Sequence, residues 1–456
     1  MKRSRFLFNP FVTGTLLLTL TGVLSRIIGF FYRIFLSRTI GAEGLGIYQL
    51  IFPILTLCVS LTAAGVQTAI SKFVSEERGK CNNCSGLRYL YAGLFLSLCL
   101  SVLVMIFLLR QAQLLSDTVL HESRCGILLC IMAYSLPFTA IHSCINGYYY
   151  GLKKTAVPSF SQLLEQGIRV GAVYMLYLIA KEQNLSISPA AAVWGLVCGD
   201  IAATLYSLTA LSLHKKALRK SADAAGGLKR NTAKRRLRPL KQLGFYCIPL
   251  TANRVTINLF SSIEAILIPA QLQLFGYNNS DALSVFGILT GMAMPMILFP
   301  NVLTSSVSVL LLPTISEAQS DCNRTLIVRA IKKTVEYCMI LGLFSTLVFL
   351  LTGDYIGQIV FKNTLAGTFI TTLSWICPFS NLATTLASIL NGLGKASHAF
   401  GINLLGSLIR ILFVLVFVPV YGIRSYLYGM LVSQLFIAAA AILTILYLNK
   451  HGLCKA

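Results

Sequence analysis

Gln162-Leu-Leu-Glu-Gln-Gly-Ile-Arg169 and Asn403-Leu-Leu-Gly-Ser-Leu-Ile-Arg410 are variants of one phrase, written 241 residues apart. The offset recurs elsewhere. Ser71-Lys-Phe-Val-Ser-Glu76 answers to Leu312-Pro-Thr-Ile-Ser-Glu317, Pro137-Phe-Thr139 to Pro378-Phe-Ser380, and Lys154 to Lys395. One such match is chance; four pairs (Glu76/Glu317, Pro137/Pro378, Lys154/Lys395, Arg169/Arg410) at one spacing indicate an internal duplication. A membrane-spanning helix needs about 20 largely apolar residues. By that measure the chain carries twelve spans, near 11–36, 47–71, 87–109, 125–150, 157–180, 189–213, 243–269, 283–312, 326–351, 367–390, 397–420 and 425–448. The eighth is long, and Pro295 and Pro300 are expected to kink it. Six is an even number, so both halves enter the membrane in the same sense. The sequence thus predicts an all-α integral membrane protein of about twelve helices, in two parallel six-helix repeats that form two lobes. Secondary transporters are built this way.

Composition agrees. Hydrophobic residues make up 56% and charged residues 12% of the chain, and the mean hydropathy is +0.75. Soluble domains sit near about 45–50% apolar and about 25% charged, so lipid must solvate most of this surface. The net charge of +23 does not indicate nucleic acid, because the basic residues are scattered over short loops. Of 38 Lys and Arg, 27 fall on one set of loops and 6 on the other. The positive-inside rule then places both termini in the cytoplasm, in a multi-pass bacterial plasma-membrane protein. The apolar run after Arg5 has no small-x-small cleavage site and reads as an uncleaved first span. Residues 214–241 form the one sizeable hydrophilic stretch. They are expected to link an N-terminal lobe, 1–213, to a C-terminal lobe, 242–456, as a basic cytoplasmic tether drawn to anionic headgroups or as a partner-binding segment.

No chemistry of catalysis is visible. Thirteen cysteines are spread through apolar runs, and Cys81-Asn-Asn-Cys84 stands without a second ligand pair. His121, His142, His214, His398 and His451 match no metal or triad spacing. There is no Walker loop. No enzyme activity, metal or cofactor is expected.

Charge inside the membrane is the remaining signal, because an ionisable residue at mid-bilayer costs roughly 2.5–3.5 kcal/mol and usually faces a cavity or a partner. Arg26 and Arg33 lie seven apart, two turns along one helix face. Arg254 opens the matching first helix of the second half. Arginines from both lobes at a shared cleft would make a cationic cavity suited to a phosphate-bearing headgroup, since the guanidinium fork donates two parallel hydrogen bonds and stays charged. Against this, Arg33 and Arg26 could snorkel to the interface. Glu165 and Arg169 are spaced for a local ion pair. Arg410 lacks that acid, since Gly406 stands in its place, and is expected near the cytoplasmic end. Glu264 fits either a coupling proton or cation, or a pair with an arginine of the other lobe. Asp200 and Glu336 lie nearer span ends and receive no role.

The first span and its exit read Leu24-Ser-Arg26-Ile-Ile-Gly29-Phe-Phe-Tyr-Arg33-Ile-Phe-Leu-Ser-Arg38, then Gly41-Ala-Glu-Gly44-Leu-Gly46-Ile-Tyr48-Gln49. With Ser71–Glu76 and Leu312–Glu317, this resembles the multidrug/oligosaccharidyl-lipid/polysaccharide exporter superfamily over essentially the whole chain, nearest to stage V sporulation protein B and related polysaccharide-biosynthesis proteins. The resemblance implies a V-shaped pair of six-helix lobes. It also implies flipping of undecaprenyl-pyrophosphate-linked saccharide, peptidoglycan precursor among them, from inner to outer leaflet, in the company of membrane lipids and cell-envelope synthesis proteins. The Ser-Arg-x-x-Gly segment is similar to that of the lipid II flippases, which implies a cavity role for Arg26. Where those flippases carry two further cavity arginines, this chain reads Thr56-Leu57 after Pro53 and Pro295 before Pro300, which sets it nearer the sporulation-type members. A multidrug/cation antiporter of the same superfamily is the alternative; it would want membrane acids without an excess of arginine.

Overall fold

The computed structural model describes residues 10–79, 86–185, 187–224, 237–305, 308, 311, 315 and 324–451. Most of Leu312–Glu317, the Cys81/Cys84 pair, residues 225–236 of the basic segment and both chain ends lie outside the described residues. Among the described residues there are helices and no strands. Twelve crossing segments follow one another: α1 Pro10–Thr39, α2 Gly41–Glu77, α3 Gly86–Thr118, α4 Cys125–Ala133 with Ser135–Gly151, α5 Ala156–Glu182, α6 Pro189–Ala224, α7 Leu237–Phe275, α8 Asn279–Ile297, α9 Ile327–Val360, α10 Thr364–Leu373 with Ile376–Gly392, α11 Ala396–Val416 and α12 Ile423–His451. Ten are apolar and long enough by themselves, and the bent pairs α4 and α10 bring the number to twelve.

The duplication is visible as geometry. Helix α4 bends by 42° at Tyr134, and α10 bends by 57° at Ser374–Trp375, the equivalent place in the repeat. In each, a proline (Pro137, Pro378) is the third residue of the second segment. Its missing N–H leaves a carbonyl of the preceding segment without its helical donor, so the chain turns there. Helix neighbours repeat as well: α3 packs on α4 and α5 on α6, as α9 packs on α10 and α11 on α12.

Helix α8 shows the expected interruption in a different form. An α segment, Asn279–Gly287, passes into a wider π turn over Ile288–Ala293 before Met294–Ile297. Pro295 enters there as an early residue of the last segment, so the ladder is broken by widening ahead of the proline. Helix α2 carries a similar π turn at Ser60–Ala64. Ser97 of α3 donates to the Thr62 carbonyl in that turn at 2.6 Å. In lipid, no water could supply that donor. The α3 helix is accordingly polar inward and apolar outward: Ser97 and Ser101 are buried while Leu103 and Phe107 are exposed.

The described chain divides into two compact units, Met1–Tyr32 with Leu50–Ser262, and Arg33–Gln49 with Ile263–Ala456. The boundaries therefore fall inside α1, α2 and α7. The first two-thirds of α7, Leu237 to Ser262, which the repeat would assign to the second half, packs with the first unit. Unit 1 is held by an apolar core of Val66, Ile70 and Val74 from α2, Leu90 from α3, and Cys144, Ile145 and Tyr148 from α4. Unit 2 has its own core, in which Cys338 of α9, Leu386 and Ile389 of α10 and Ile437 and Ala441 of α12 meet.

Candidate functional site

Within unit 1, helices α2, α4, α5, α6 and α7 line an open cavity of about 630 Å³. Its lining follows helical periodicity. Helix α4 contributes Thr139, His142, Ser143, Asn146 and Tyr150, and α5 contributes Pro158, Gln162, Glu165 and Arg169. Both sets step by three and four, so each occupies one helix face. Gln67 and Ser60 come from α2, Asp200 from α6, and Arg254 and Asn258 from α7.

Helix α6 can approach α5 closely because Gly195 and Gly199 face it. A Cβ on Gly199 would lie 2.8 Å from the Glu165 carbonyl and 3.3 Å from Arg169 Cβ. The next residue, Asp200, is thereby brought to the cavity wall, where Thr139 donates to Oδ2 at 2.9 Å. Glu165 and Arg169 pair at 2.6 Å, both mostly buried, and their charges act on Asp200. One turn further along α4, His142 Nε2 lies 2.8 Å from Asn146 Nδ2 and 2.7 Å from Ser161 Oγ. On the α7 side, Asn258 donates to Ser60, and Arg254 Nη2 sits 3.5 Å from Thr68 Oγ1. Two guanidinium groups and two carboxyl groups thus share the wall.

Unit 2 holds a different polar cluster. Glu264 of α7 is buried, and its Oε1 accepts from Arg410 Nε at 2.7 Å and from Tyr426 OH at 2.7 Å. The remaining Arg410 nitrogens donate to Ser433 and Ser407, each at 3.1 Å. Arg410 therefore sits in a closed network among α7, α11 and α12 rather than at a helix end facing the cytoplasm. The partner of Glu264 comes from the same half of the chain, not from the other.

Of the residues singled out in the sequence, the structure brings Glu165, Arg169 and Arg254 to one cavity and Glu264 and Arg410 to another cluster. Arg26, exposed on α1, and Arg33, half-buried on the same helix, do not line the unit 1 cavity. Asp200, near a span end, and His142, one of five dispersed histidines, carry no role in the sequence reading, yet both line that cavity. The usable signal was Gly199 before Asp200: a small residue beside an intramembrane acid marks a close helix contact. Among the described residues, no three His, Cys, Asp or Glu side chains gather to hold a metal ion.

Residues 11–319 match the family of polysaccharide biosynthesis proteins. The chain is similar to stage V sporulation protein B of Bacillus subtilis (strain 168), at 26% identity over 419 residues, which cover 91% of this chain and 80% of that protein. It is also similar to the lipid II flippase MurJ of the same organism, at 23% identity over 421 residues, covering 88% and 76%. Among solved structures, an inward-facing multidrug resistance MATE family transporter of the MOP superfamily shares its fold, with a TM-score of 0.69 and 15% identity over 94% of each chain.

Proposed function

The chain belongs to the polysaccharide biosynthesis protein family, and from that premise we propose that it is a flippase for undecaprenyl-pyrophosphate-linked saccharide. The cargo is a peptidoglycan precursor or another polysaccharide repeat unit, carried from the inner to the outer leaflet of a bacterial plasma membrane by alternating access of the two repeats. Both termini face the cytoplasm in this reading, and the protein transports rather than catalyses. The observation that carries it is the pairing of a lipid II flippase relative, aligned over 88% of this chain, with a ligand-sized polar cavity inside the membrane-spanning helices. Arg26 and Arg33 of α1 are assigned to the pyrophosphate, because their spacing presents two guanidinium groups along one helix face. Arg254, which lines the unit 1 cavity, is assigned to the same lipid-linked substrate from α7.

A multidrug/cation antiporter is the second reading. The observation that favours it is the presence of two membrane carboxylates, Glu165 and Asp200, on one cavity wall; the two arginines beside them weigh against a cationic cargo.

The test is reconstitution in liposomes with fluorescent undecaprenyl-pyrophosphate muropeptide, following its movement between leaflets. Rapid movement by the wild type and its loss in Arg26→Ala is the expected result. A correctly folded wild type that leaves this lipid in place, while moving an organic cation against a proton or sodium gradient, would establish the antiporter instead.

A further inference from the structure

We infer that the unit 1 cavity is the saccharide-binding part of the substrate site, taking an uncharged polyhydroxylated sugar unit and leaving the pyrophosphate to groups outside it. The inference rests on the flippase reading above and adds to it which part of the substrate this cavity holds.

The chemistry of the wall carries the argument. Gln67 and Gln162 bring two carboxamides to the cavity lining. Asn146, 8% exposed, gives its Nδ2 to His142 and has a buried Oδ1 with no partner. A buried acceptor left unmet costs on the order of 1–3 kcal/mol, and native structures retain such a group where something else completes it. A carboxamide offers both donors and an acceptor, which matches hydroxyl groups that do the same. Tyr150 presents a ring and a hydroxyl to the same space, and the C–H face of a pyranose packs on such a ring while its hydroxyls reach the rim.

Charge excludes the other candidates. A pyrophosphate in this cavity would be set against the Asp200 carboxyl, and like charges at short range repel. Arg169 is already occupied by Glu165 at 2.6 Å. An organic cation would face Arg254. A neutral ligand meets neither penalty, and a carboxylate accepts well from a pair of neighbouring hydroxyls. The volume, about 630 Å³, lies inside the roughly 300–1,000 Å³ of small-ligand sites.

The cluster in unit 2 shows the contrast. There Glu264, Arg410, Tyr426, Ser433 and Ser407 bond to one another across α7, α11 and α12.

The experiment uses the full chain in lipid nanodiscs and two photoprobes built on undecaprenyl-pyrophosphate disaccharide. One carries a diazirine on the sugar N-acyl group and the other carries it in the polyprenyl chain. After illumination, labelled peptides are mapped by mass spectrometry. The sugar-borne probe is expected to label peptides of Ser135–Gly151 and Ala156–Glu182. Gln162→Leu, an exposed position that the fold does not need, is expected to reduce that labelling about tenfold while lipid-borne labelling is unchanged. Labelling by the sugar-borne probe confined to peptides outside unit 1, or labelling of α4 and α5 that Gln162→Leu leaves intact, overturns the inference. Movement between leaflets is measured on the same preparation. Movement with sugar labelling elsewhere sinks the saccharide site alone, and sugar labelling of α4 and α5 without movement sinks the flippase reading alone.

Discussion

Arg410 donates from Nε to Glu264 Oε1 at 2.7 Å, joining α11 to α7 across 146 residues of sequence. Its repeat partner Arg169 also pairs with a carboxylate, at 2.6 Å, but with Glu165, one turn away on its own helix. The duplication kept the arginine and changed the source of the acid. In the first half the pair is local and leaves α7 free to contribute Arg254 and Asn258 to a cavity. In the second half Gly406 replaces the local acid, and the acid arrives from α7 and closes the space. Two copies of one sequence phrase have become a cavity wall and a strut.

If the second cluster is a strut, breaking it should cost stability before it costs transport. Removing one partner of a buried ion pair leaves the other charge unmet, at about 3–5 kcal/mol. Glu264→Gln and Arg410→Gln are each expected to lower the unfolding temperature in detergent substantially. The double variant, which strands no charge, is expected to recover much of the loss, giving a coupling energy above about 1 kcal/mol. Strictly additive losses would show that the pair contributes nothing beyond its separate contacts.

Gly199 should tolerate nothing larger. A Cβ there already meets the Glu165 carbonyl at 2.8 Å, a backbone atom that cannot move aside without shifting α5. Gly199→Val is expected to spread α5 from α6, displace Asp200 from Thr139 and abolish transport. Gly167 and Gly171 lie on α5 with nothing within 4 Å of an added Cβ. Gly167→Ala should be neutral or stabilising by up to about 1 kcal/mol, because alanine loses less entropy in a helix. Thermal unfolding and lipid movement, measured side by side on the three proteins, check both halves of this contrast.

How much of this was legible in the sequence depends on range. The twelve crossings and the parallel repeat follow from apolar length and from a spacing of 241, both local or periodic signals, and the two proline bends fall at equivalent places because the repeat carried Pro137 to Pro378. The Glu165–Arg169 pair could be read because four residues make one helical turn. Asp200 could not, since its meaning lies in contact with Thr139, 61 residues earlier. The Glu264–Arg410 bond was invisible for the same reason. The assignment of Arg254 beside first-half helices also escaped the sequence, because a long helix can leave the half that encodes it. What hydropathy and periodicity report is which face is apolar; they do not report which polar faces meet.

Asp200 separates a charge requirement from a packing one. Asp200→Asn keeps an acceptor for Thr139 and nearly the same volume, so unfolding temperature is expected to change by no more than about 2 °C, the scale of about 1 kcal/mol or less in a lobe of roughly 200 residues. Transport of lipid-linked saccharide is expected to fall at least tenfold, because the carboxylate is the stronger acceptor for substrate hydroxyls. Thr139→Val should show the opposite balance, removing a donor to a buried carboxylate and lowering stability by about 1–3 kcal/mol. An Asn variant that transports normally would remove Asp200 from the site and leave it a packing residue.

Arg38 offers a test that does not depend on any substrate. Its Nε donates to the Val360 carbonyl and its Nη2 to the Ile359 carbonyl, both at 2.8 Å. These carbonyls end the π turn Ile356–Val360, where the last turn of a helix leaves acceptors without intrahelical donors. The guanidinium fork meets two adjacent oxygens at once, and it is also a cation at a helix C-terminus, where the backbone dipole favours positive charge. Lysine supplies the charge but not the fork. Arg38→Lys is therefore expected to keep part of the stabilisation and Arg38→Ala to lose about 1 kcal/mol of it. Amide hydrogen exchange of residues 356–363 reads this directly. Exchange should rise several-fold in the alanine variant and by less in the lysine variant, with α12 unaffected. Equal protection in all three proteins would mean that the α9 end is held by its own packing, and that the two hydrogen bonds are made without consequence.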